Sequence, residues 1–135
     1  MANYGSTVRT NYFRVTNEET YKMLFSRLCS NSTVDDLTKE RDGILYHGFG
    51  AYDSIDYCIS EDNYDFDAFL KELQKILPED EAFIYFESGC EKLCYVTGEV
   101  IVVTSKQIVS ETLENWAMTE AKKLLGEDFI TRTTF

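Results

Sequence analysis

Residues 81–104, EAFIYFESGCEKLCYVTGEVIVVT, contain three apolar runs, and the breaks between the runs are Ser88-Gly89 and Gly98-Glu99. The runs are rich in β-branched and aromatic residues, which favour strands. Two residues suffice for a tight hairpin connection, and glycine supplies the positive φ that such turns need. The pattern therefore predicts an antiparallel three-strand meander, with residues 100–103 forming an interior strand because they are apolar on both faces.

A strand and a helix are predicted before this meander. Residues 8–15 contain several bulky apolar side chains and read as a first strand. The sequence Thr16-Asn17-Glu18-Glu19 follows, and we interpret it as a capping box in which Thr16 is the N-cap and Glu19 reaches back to it. Apolar residues then recur at spacings of three and four, which is typical of one helix face.

Two more helices are predicted from the same spacing. One is expected to start with Asp65 or Asn63 as its cap and to stop at Pro78. The other is expected after Ser110, a candidate cap, and to stop at Gly126. Each has apolar residues along one stripe, so each is expected to pack against the sheet.

The stretch between the first two helices contains one loop and one weak strand. Residues 34–43 are polar and charged, and they end in Asp42-Gly43, a turn signal. Residues 44–50 alternate as a strand does. Glycine in a strand often marks a bulge or a close backbone approach, so this strand is expected to bend or break near Gly48.

These elements predict an α+β fold with an antiparallel sheet of about five strands, residues 81–104 at its centre and three helices packed mainly on one face. With 135 residues, 44% of them apolar, the chain is expected to form a single domain over residues 1–135. The expected core consists of Leu24, Phe25, Leu28, Phe69, Leu73, Ile84, Phe86, Val100, Val102 and Trp116.

Charge narrows the classes of partner. The 24 acidic and 13 basic residues give a formal net charge of −11, which disfavours direct binding to nucleic acid or to an anionic membrane. A basic protein is the natural complement. The chain has no apolar run long enough to span a membrane and no apolar signal core at its start, so we expect a cytoplasmic protein.

Residues 51–67, AYDSIDYCISEDNYDFD, are the most unusual stretch because they contain six acids and three tyrosines but no lysine or arginine. Their mutual repulsion is a cost that a basic partner would relieve. Acids at a helix start also complement the helix dipole, and part of the charge has that structural explanation. The predicted binding surface consists of Tyr52, Asp53, Asp56, Tyr57, Glu61, Asp62, Tyr64, Asp65 and Asp67.

Catalytic chemistry has two routes in this sequence. A nucleophilic site would need His47, the only histidine, as base, with Cys29 or Cys58 as the nucleophile. Carboxylates of residues 51–67 could act as an acid and base pair, but many surface acids supply such pairs by chance. We therefore predict no catalytic residue and no enzymatic activity.

No metal or other cofactor is predicted. Cys90 and Cys94 have a spacing that zinc tolerates, but Cys94 is expected in the middle of a strand and His47 is the only histidine that could complete the ligand set. Residues 63–67 alternate oxygen-bearing side chains as the start of an EF-hand does, yet Ala68 and Gln74 stand where that loop needs glycine and glutamate.

The strings NYFRV followed by T-x-x-E, then GFGAYDSIDY, then LQKILP before EAFIYFESG, resemble small uncharacterised acidic proteins carried on mobile elements of Gram-positive bacteria. The resemblance spans most of the chain and implies an accessory protein acting on host defence or transfer machinery. It transfers no site residue.

We expect a small acidic interaction protein whose partner is a basic host protein, with oligomeric state left open. A narrower version is a nucleic-acid mimic that inhibits a DNA-handling or defence protein, its carboxylates standing in for phosphates. The alternatives are a small enzyme using the carboxylates or a Cys/His pair, and a mobile-element accessory protein with a purely structural role.

Overall fold

The computed structural model describes residues 5–91 and 95–131. It confirms the α+β class. The helices are α1 (Glu18–Ser26), α2 (Phe66–Gln74) and α3 (Leu113–Leu125). The strands are β1 (Gly5–Thr10), β2 (Leu28–Ser30), β3 (Asp35–Asp36), β4 (Lys39–Arg41), β5 (Ile44–Tyr46), β6 (Phe49–Ala51), β7 (Ile55–Ser60), β8 (Asn63–Tyr64), β9 (Phe83–Glu91), β10 (Tyr95–Val103) and β11 (Ile108–Thr112).

The main sheet has six strands in the order β11-β10-β9-β1-β6-β3, and every neighbouring pair is antiparallel. A three-stranded sheet, β2-β7-β8, and a two-stranded sheet, β4-β5, accompany it. The strand count is therefore higher than the predicted five. The excess comes from short strands of two or three residues, which carry too few positions for an alternating pattern to be recognised.

The predicted meander within residues 81–104 is wrong in its turns. Ser88-Gly89 and Gly98-Glu99 lie inside β9 and β10, where Gly98 pairs with Ser88 and Thr97 with Gly89. These residues form two long strands rather than three, and β11 supplies the next antiparallel neighbour. Gly98 has another role: a Cβ there would lie 2.6 Å from Leu113 Cδ1, so glycine permits the close approach of α3.

The inner face of the main sheet, defined by the side chains that alternate with Phe83, forms the core. Phe13, Phe49, Phe69 and Phe83 are fully buried and meet edge to face or tilted, with 5.0 Å between the ring centroids of Phe13 and Phe83. Helix α2 contributes Phe69 and Leu73 to this cluster, as its apolar stripe predicts. Edge-to-face rings pack favourably beyond the area they bury.

The outer face of the main sheet is defined by the side chains that alternate with Phe86. Helices α1 and α2 pack on the inner face, but the contact of Leu113 with Gly98 places the start of α3 against the outer face. The expectation that all three helices pack mainly on one face is therefore not met. Helix α3 contains no buried residue.

The predicted core is partly correct. Leu24, Leu28, Phe69 and Leu73 are buried, whereas Phe86 is 50% exposed and Trp116 is 58% exposed. Both exceptions belong to the outer side, where strand alternation and the α3 stripe turn apolar groups away from the core. The remaining predicted core residues are half-buried: Phe25, Ile84, Val100 and Val102.

Each helix begins at a side-chain N-cap, as predicted, but the capping residue of α1 and of α3 differs from the predicted one. Asn17, not Thr16, caps α1, and its side-chain oxygen accepts from the Thr20 amide at 3.0 Å. Asp65, one of the two predicted candidates, caps α2. Thr112, not Ser110, caps α3, because Ser110 is paired inside β11. Asparagine and threonine both accept well at an N-cap, so sequence alone leaves such a choice open.

The segments around β1 and β6 also differ from the simple strand assignment. β1 ends at Thr10 rather than at residue 15. At the next residue, the Asn11 side chain donates to the Ala82 carbonyl and accepts from the Ile84 amide, which a continued strand would pair with a backbone carbonyl. Residues 34–43 include β3 and β4 rather than a pure loop. The turn at Asp42-Gly43 is confirmed by φ values of 52° and 78°, and the strand breaks beside Gly48, between β5 and β6.

Candidate interaction surface

Residues 51–67 form a hairpin of β7 and β8 that leads into α2. Alternation along β7 turns Ile55 and Tyr57 inward and Asp56 outward. Tyr57 is only 5% exposed and packs against Phe69 with 5.6 Å between ring centroids. Its place in the predicted binding surface is therefore wrong, because period-two alternation puts its ring in the core.

The other predicted surface residues remain accessible. Tyr52 is 80% exposed, and Tyr64 is also exposed. Asp53 is half-buried, whereas the other carboxylates of the stretch are exposed. We name the set the acidic surface; it consists of Tyr52, Asp53, Asp56, Glu61, Asp62, Tyr64, Asp65 and Asp67.

Three of these carboxylates support the local backbone. Asp53 and Asp56 each accept from the amide of the next residue at 2.8 Å, and Asp65 accepts from the Asp67 amide at 3.0 Å. At these three positions the carboxylate therefore has a structural role in holding the local backbone. Glu61 and Asp62 form the turn between β7 and β8, where Asp62 has a φ of 59°, a conformation that aspartate tolerates.

The acidic residues do not all meet in one pocket. Asp56 and Tyr64 line a groove of about 510 Å³ together with Cys29, Ser30 and Ser54. Cys29 lies opposite Asp56 in the register of β2 with β7. The charges at the Glu61-Asp62 turn and at the start of α2 lie outside that lining.

A second acidic group lies where the inner face of the sheet ends. Glu87 and Glu99 are direct cross-strand partners, and Glu87 accepts from Ser54 Oγ at 2.7 Å and from the Tyr85 hydroxyl at 2.6 Å. Burial raises the pKa of Glu99, and the carboxylates of Glu87 and Asp67 raise it further. Asp67 thus joins the acidic surface to this pair electrostatically.

No carboxylate of residues 51–67 takes part in an ion pair with any of the described residues. The ion pairs among the described residues involve acids outside residues 51–67, such as Glu81 with Arg14 at 2.9 Å and Glu72 with Lys75 at 3.1 Å. The carboxylates of the acidic surface are therefore without a direct lysine or arginine partner in the described part of the chain.

The candidate Cys/His pair is not assembled. His47 is buried, its Nε2 lies 2.6 Å from Glu18 Oε2, and its Nδ1 lies 3.1 Å from Thr38 Oγ1. Both ring nitrogens are thus engaged by groups other than thiols. Cys29 Sγ instead donates to the Asp56 carbonyl, and Cys58 Sγ donates to the Ser60 carbonyl.

The partners of His47 are residues that sequence reasoning missed. Glu18 lies 29 positions before His47, and Thr38 lies nine positions before it, so no local spacing in the sequence signals this cluster. The Tyr21 ring lies 4.0 Å from the imidazole, and its buried hydroxyl has no hydrogen-bond partner among the described residues. The arrangement ties α1 to the β3–β4 and β5–β6 connections.

Thiol reactivity and metal binding find little support. Burial, then the charge of Asp56, raises the pKa of the Cys29 thiol, which lowers its thiolate fraction. Across residues 5–91 and 95–131 no group of three or more His, Cys, Asp or Glu side chains is placed to bind a metal. Cys94 lies outside the described residues, so the Cys90 and Cys94 pair is not tested.

Among the described residues, no helix is both long and apolar enough to cross a membrane. Comparison of the chain with protein-family models, with curated proteins and with solved structures found no match.

Proposed function

We propose that this chain is an interaction protein that binds a basic partner protein through the acidic surface. The observation that carries the proposal is the absence of any ion pair, within the described residues, for the six carboxylates of residues 51–67. Neighbouring like charges repel, and a cationic partner would convert that repulsion into attraction and faster encounter.

The exposed tyrosines add apolar contact area and hydrogen-bonding hydroxyls to the charge of the acidic surface. Tyr52 precedes β7 in the chain and Tyr64 follows it, and both side chains are exposed to solvent. Tyrosine is enriched in protein interfaces because its ring buries apolar area while its hydroxyl still finds a hydrogen-bond partner. Exposed rings beside carboxylates therefore favour a protein contact over a merely solubilising loop.

The groove beside β7 offers a specific point of contact. Its volume of about 510 Å³ and its lining by Asp56, Tyr64 and Cys29 suit one long basic side chain. An arginine entering it would pair with the Asp56 carboxylate and lie against the Tyr64 ring. Asp56 is exposed, so such a pair forms without the cost of a buried charge.

The narrower form of the proposal is a nucleic-acid mimic. A mimic would occupy the nucleic-acid site of a host DNA-handling or defence protein, which agrees with the context implied by the resemblance to mobile-element proteins. Its support is the uncompensated charge of the acidic surface. Competition with duplex DNA for the captured partner distinguishes this form from a general interaction protein.

The test is a pull-down from a Gram-positive lysate over a series of salt concentrations. The variant removes four charges while keeping the oxygens that accept backbone hydrogen bonds: Asp53→Asn, Asp56→Asn, Glu61→Gln and Asp62→Asn. The matched control removes the same number of charges from exposed positions elsewhere: Glu40→Gln, Glu79→Gln, Glu127→Gln and Asp128→Asn.

We expect the variant to weaken partner binding roughly tenfold or more, and the control to keep near-native binding, because only the first set removes charges that would face the basic partner. Native binding should fall steeply with salt. Equal binding by both variants, with equal salt dependence, would reduce the acidic surface to a solubilising loop and overturn the proposal.

A further inference from the structure

The outer face of the main sheet and the adjacent stripe of α3 leave a large apolar surface uncovered by the described residues. Phe86, Val100, Leu113 and Trp116 line a groove of about 570 Å³ on this side, which we name the outer groove. Arg9 lies at one edge of its lining and Glu111 at another. The lining is apolar at its centre and charged at its rim, as protein interfaces are.

Helix α3 packs little against the other described residues. It has 13 residues, and none of them is buried. Isolated helices of about that length are marginal in water, and most helices in proteins are stabilised by packing of an apolar face. Leu113, Trp116 and Leu124 lie at spacings that place them along one side of α3, and Leu124 is 83% exposed. An apolar face of this kind needs a partner surface.

The uncovered area is of the size that a stable dimer uses. Phe86, Val96, Val109, Leu113, Trp116 and Leu124 are half to mostly exposed. At about 100 Å² each they present roughly 600 Å² of apolar side chain, at the upper limit for the largest patch of a typical monomer. With the polar rim added, the surface approaches the ~800 Å² that each partner contributes to a standard interface.

We propose that a second copy of this chain covers this surface. The patch contains both halves of a helix-in-groove contact: an apolar groove, and the α3 stripe, which forms one wall of that groove through Leu113 and Trp116 and continues to Leu124. A two-fold axis places the α3 stripe of each copy in the outer groove of the other, which is the self-complementary arrangement that such an interface requires. The rim also carries both signs of charge, Arg9 and Glu111, while α3 carries Glu114 and Lys122.

This dimer has a distinctive salt dependence. Each copy has a formal net charge of −11, so the two copies repel one another while apolar burial holds them together. Added salt screens this repulsion, and it should therefore tighten the dimer. Binding of a basic partner to the acidic surface should weaken with salt, so the two contacts are distinguishable and neither depends on the other.

Sedimentation velocity of the full chain over a range of concentrations and salt tests the proposal. We compare the native protein with Trp116→Glu and with Leu124→Glu, both in the stripe. Met23→Glu is the matched control, since Met23 is an exposed apolar residue on a helix outside the outer groove. Circular dichroism establishes that each variant keeps the native fold.

We expect a native dimer that tightens with salt, a dissociation constant at least about 30-fold weaker for Trp116→Glu, a smaller loss for Leu124→Glu, and no change for Met23→Glu. A native protein that stays monomeric at every concentration and salt overturns the proposal. A dimer that Trp116→Glu leaves intact, or that Met23→Glu weakens equally, overturns it too, because the interface then lies elsewhere.

Discussion

Both faces of the six-stranded sheet carry apolar side chains, but only the inner face is buried within the chain. β9 and β10 carry large apolar residues on both sides. On the inner face, Phe83 meets rings from α2, from β6 and from the segment after β1, and it is fully buried. On the outer face, Phe86 and Trp116 face a groove that the described residues leave open.

The difference shows that an apolar pattern identifies a surface that must be buried. It does not show whether the same chain or another molecule buries it. Helix α2 brings its stripe onto the sheet within the chain, whereas the apolar stripe of α3 stays exposed. Stability is therefore expected to depend strongly on the inner face and weakly on the outer face. Association should show the reverse dependence.

The largest effect is expected from a matched pair of truncations on one strand. Phe83→Ala removes a fully buried ring and should lower the free energy of unfolding by about 3–5 kcal/mol. Phe86→Ala, three positions along the same strand, removes a half-exposed ring and should cost about 1 kcal/mol or less in the monomer. Urea unfolding at low protein concentration measures both; similar losses would refute the distinction between the faces.

The next effect concerns two glycines on the outer face. A Cβ at Gly50 would lie 2.8 Å from the Val8 carbonyl oxygen, a backbone atom held in the sheet. Gly50→Ala should therefore cost about 1–3 kcal/mol through strain. At Gly98 the obstructing atoms belong to the exposed Leu113 side chain, which can rotate, so Gly98→Ala should cost less.

Thermal unfolding of the two glycine variants checks this order. A Gly98→Ala variant less stable than Gly50→Ala would mean that α3 packs more firmly on the outer face than the exposure of Leu113 indicates.

Sequence reasoning succeeded where one local rule decides and failed where tertiary contact decides. The Asp42-Gly43 turn, the Asp65 cap and the stripe of α2 follow from local chemistry, and each is confirmed. Gly98 was assigned to a turn because a glycine signal does not distinguish a turn from a close approach. Burial of Trp116 was expected from helical spacing, which is silent about the partner surface.

The candidate site divides in the same way. Exposure of the acidic residues was predictable from composition, and inward rotation of Tyr57 followed from alternation once the limits of β7 were known. The contacts of His47 with Glu18 and Thr38 join three separate segments, and such non-local pairings are outside what one sequence can specify.

The smallest effect is expected at Glu99, where the inner face meets the acidic surface. Its pKa is raised, chiefly by burial and then by Glu87 and Asp67, so the folded state binds its proton more tightly than the unfolded state. This favourable contribution to stability is present at acidic pH and is lost as pH rises through the raised pKa. Glu99→Gln should therefore raise the melting temperature slightly at neutral pH.

That gain should disappear once the pH falls below 4.5, the ordinary pKa of glutamate, because native Glu99 is then protonated in both states. Melting curves across this pH range provide the check. A variant less stable than the native protein at neutral pH would show that the Glu99 carboxylate is stabilised by contacts rather than strained by its neighbours.

One chain buries the inner face of the main sheet and leaves the outer face open for contact. Trp116 is the only tryptophan and lies on the outer side, so its fluorescence reports directly whether the chain covers that face. At dilutions where sedimentation shows a monomer, we expect long-wavelength emission that acrylamide quenches nearly as well as in the urea-unfolded chain. Short-wavelength emission protected from acrylamide in that monomer would contradict the claim, because the chain would then cover its own outer face.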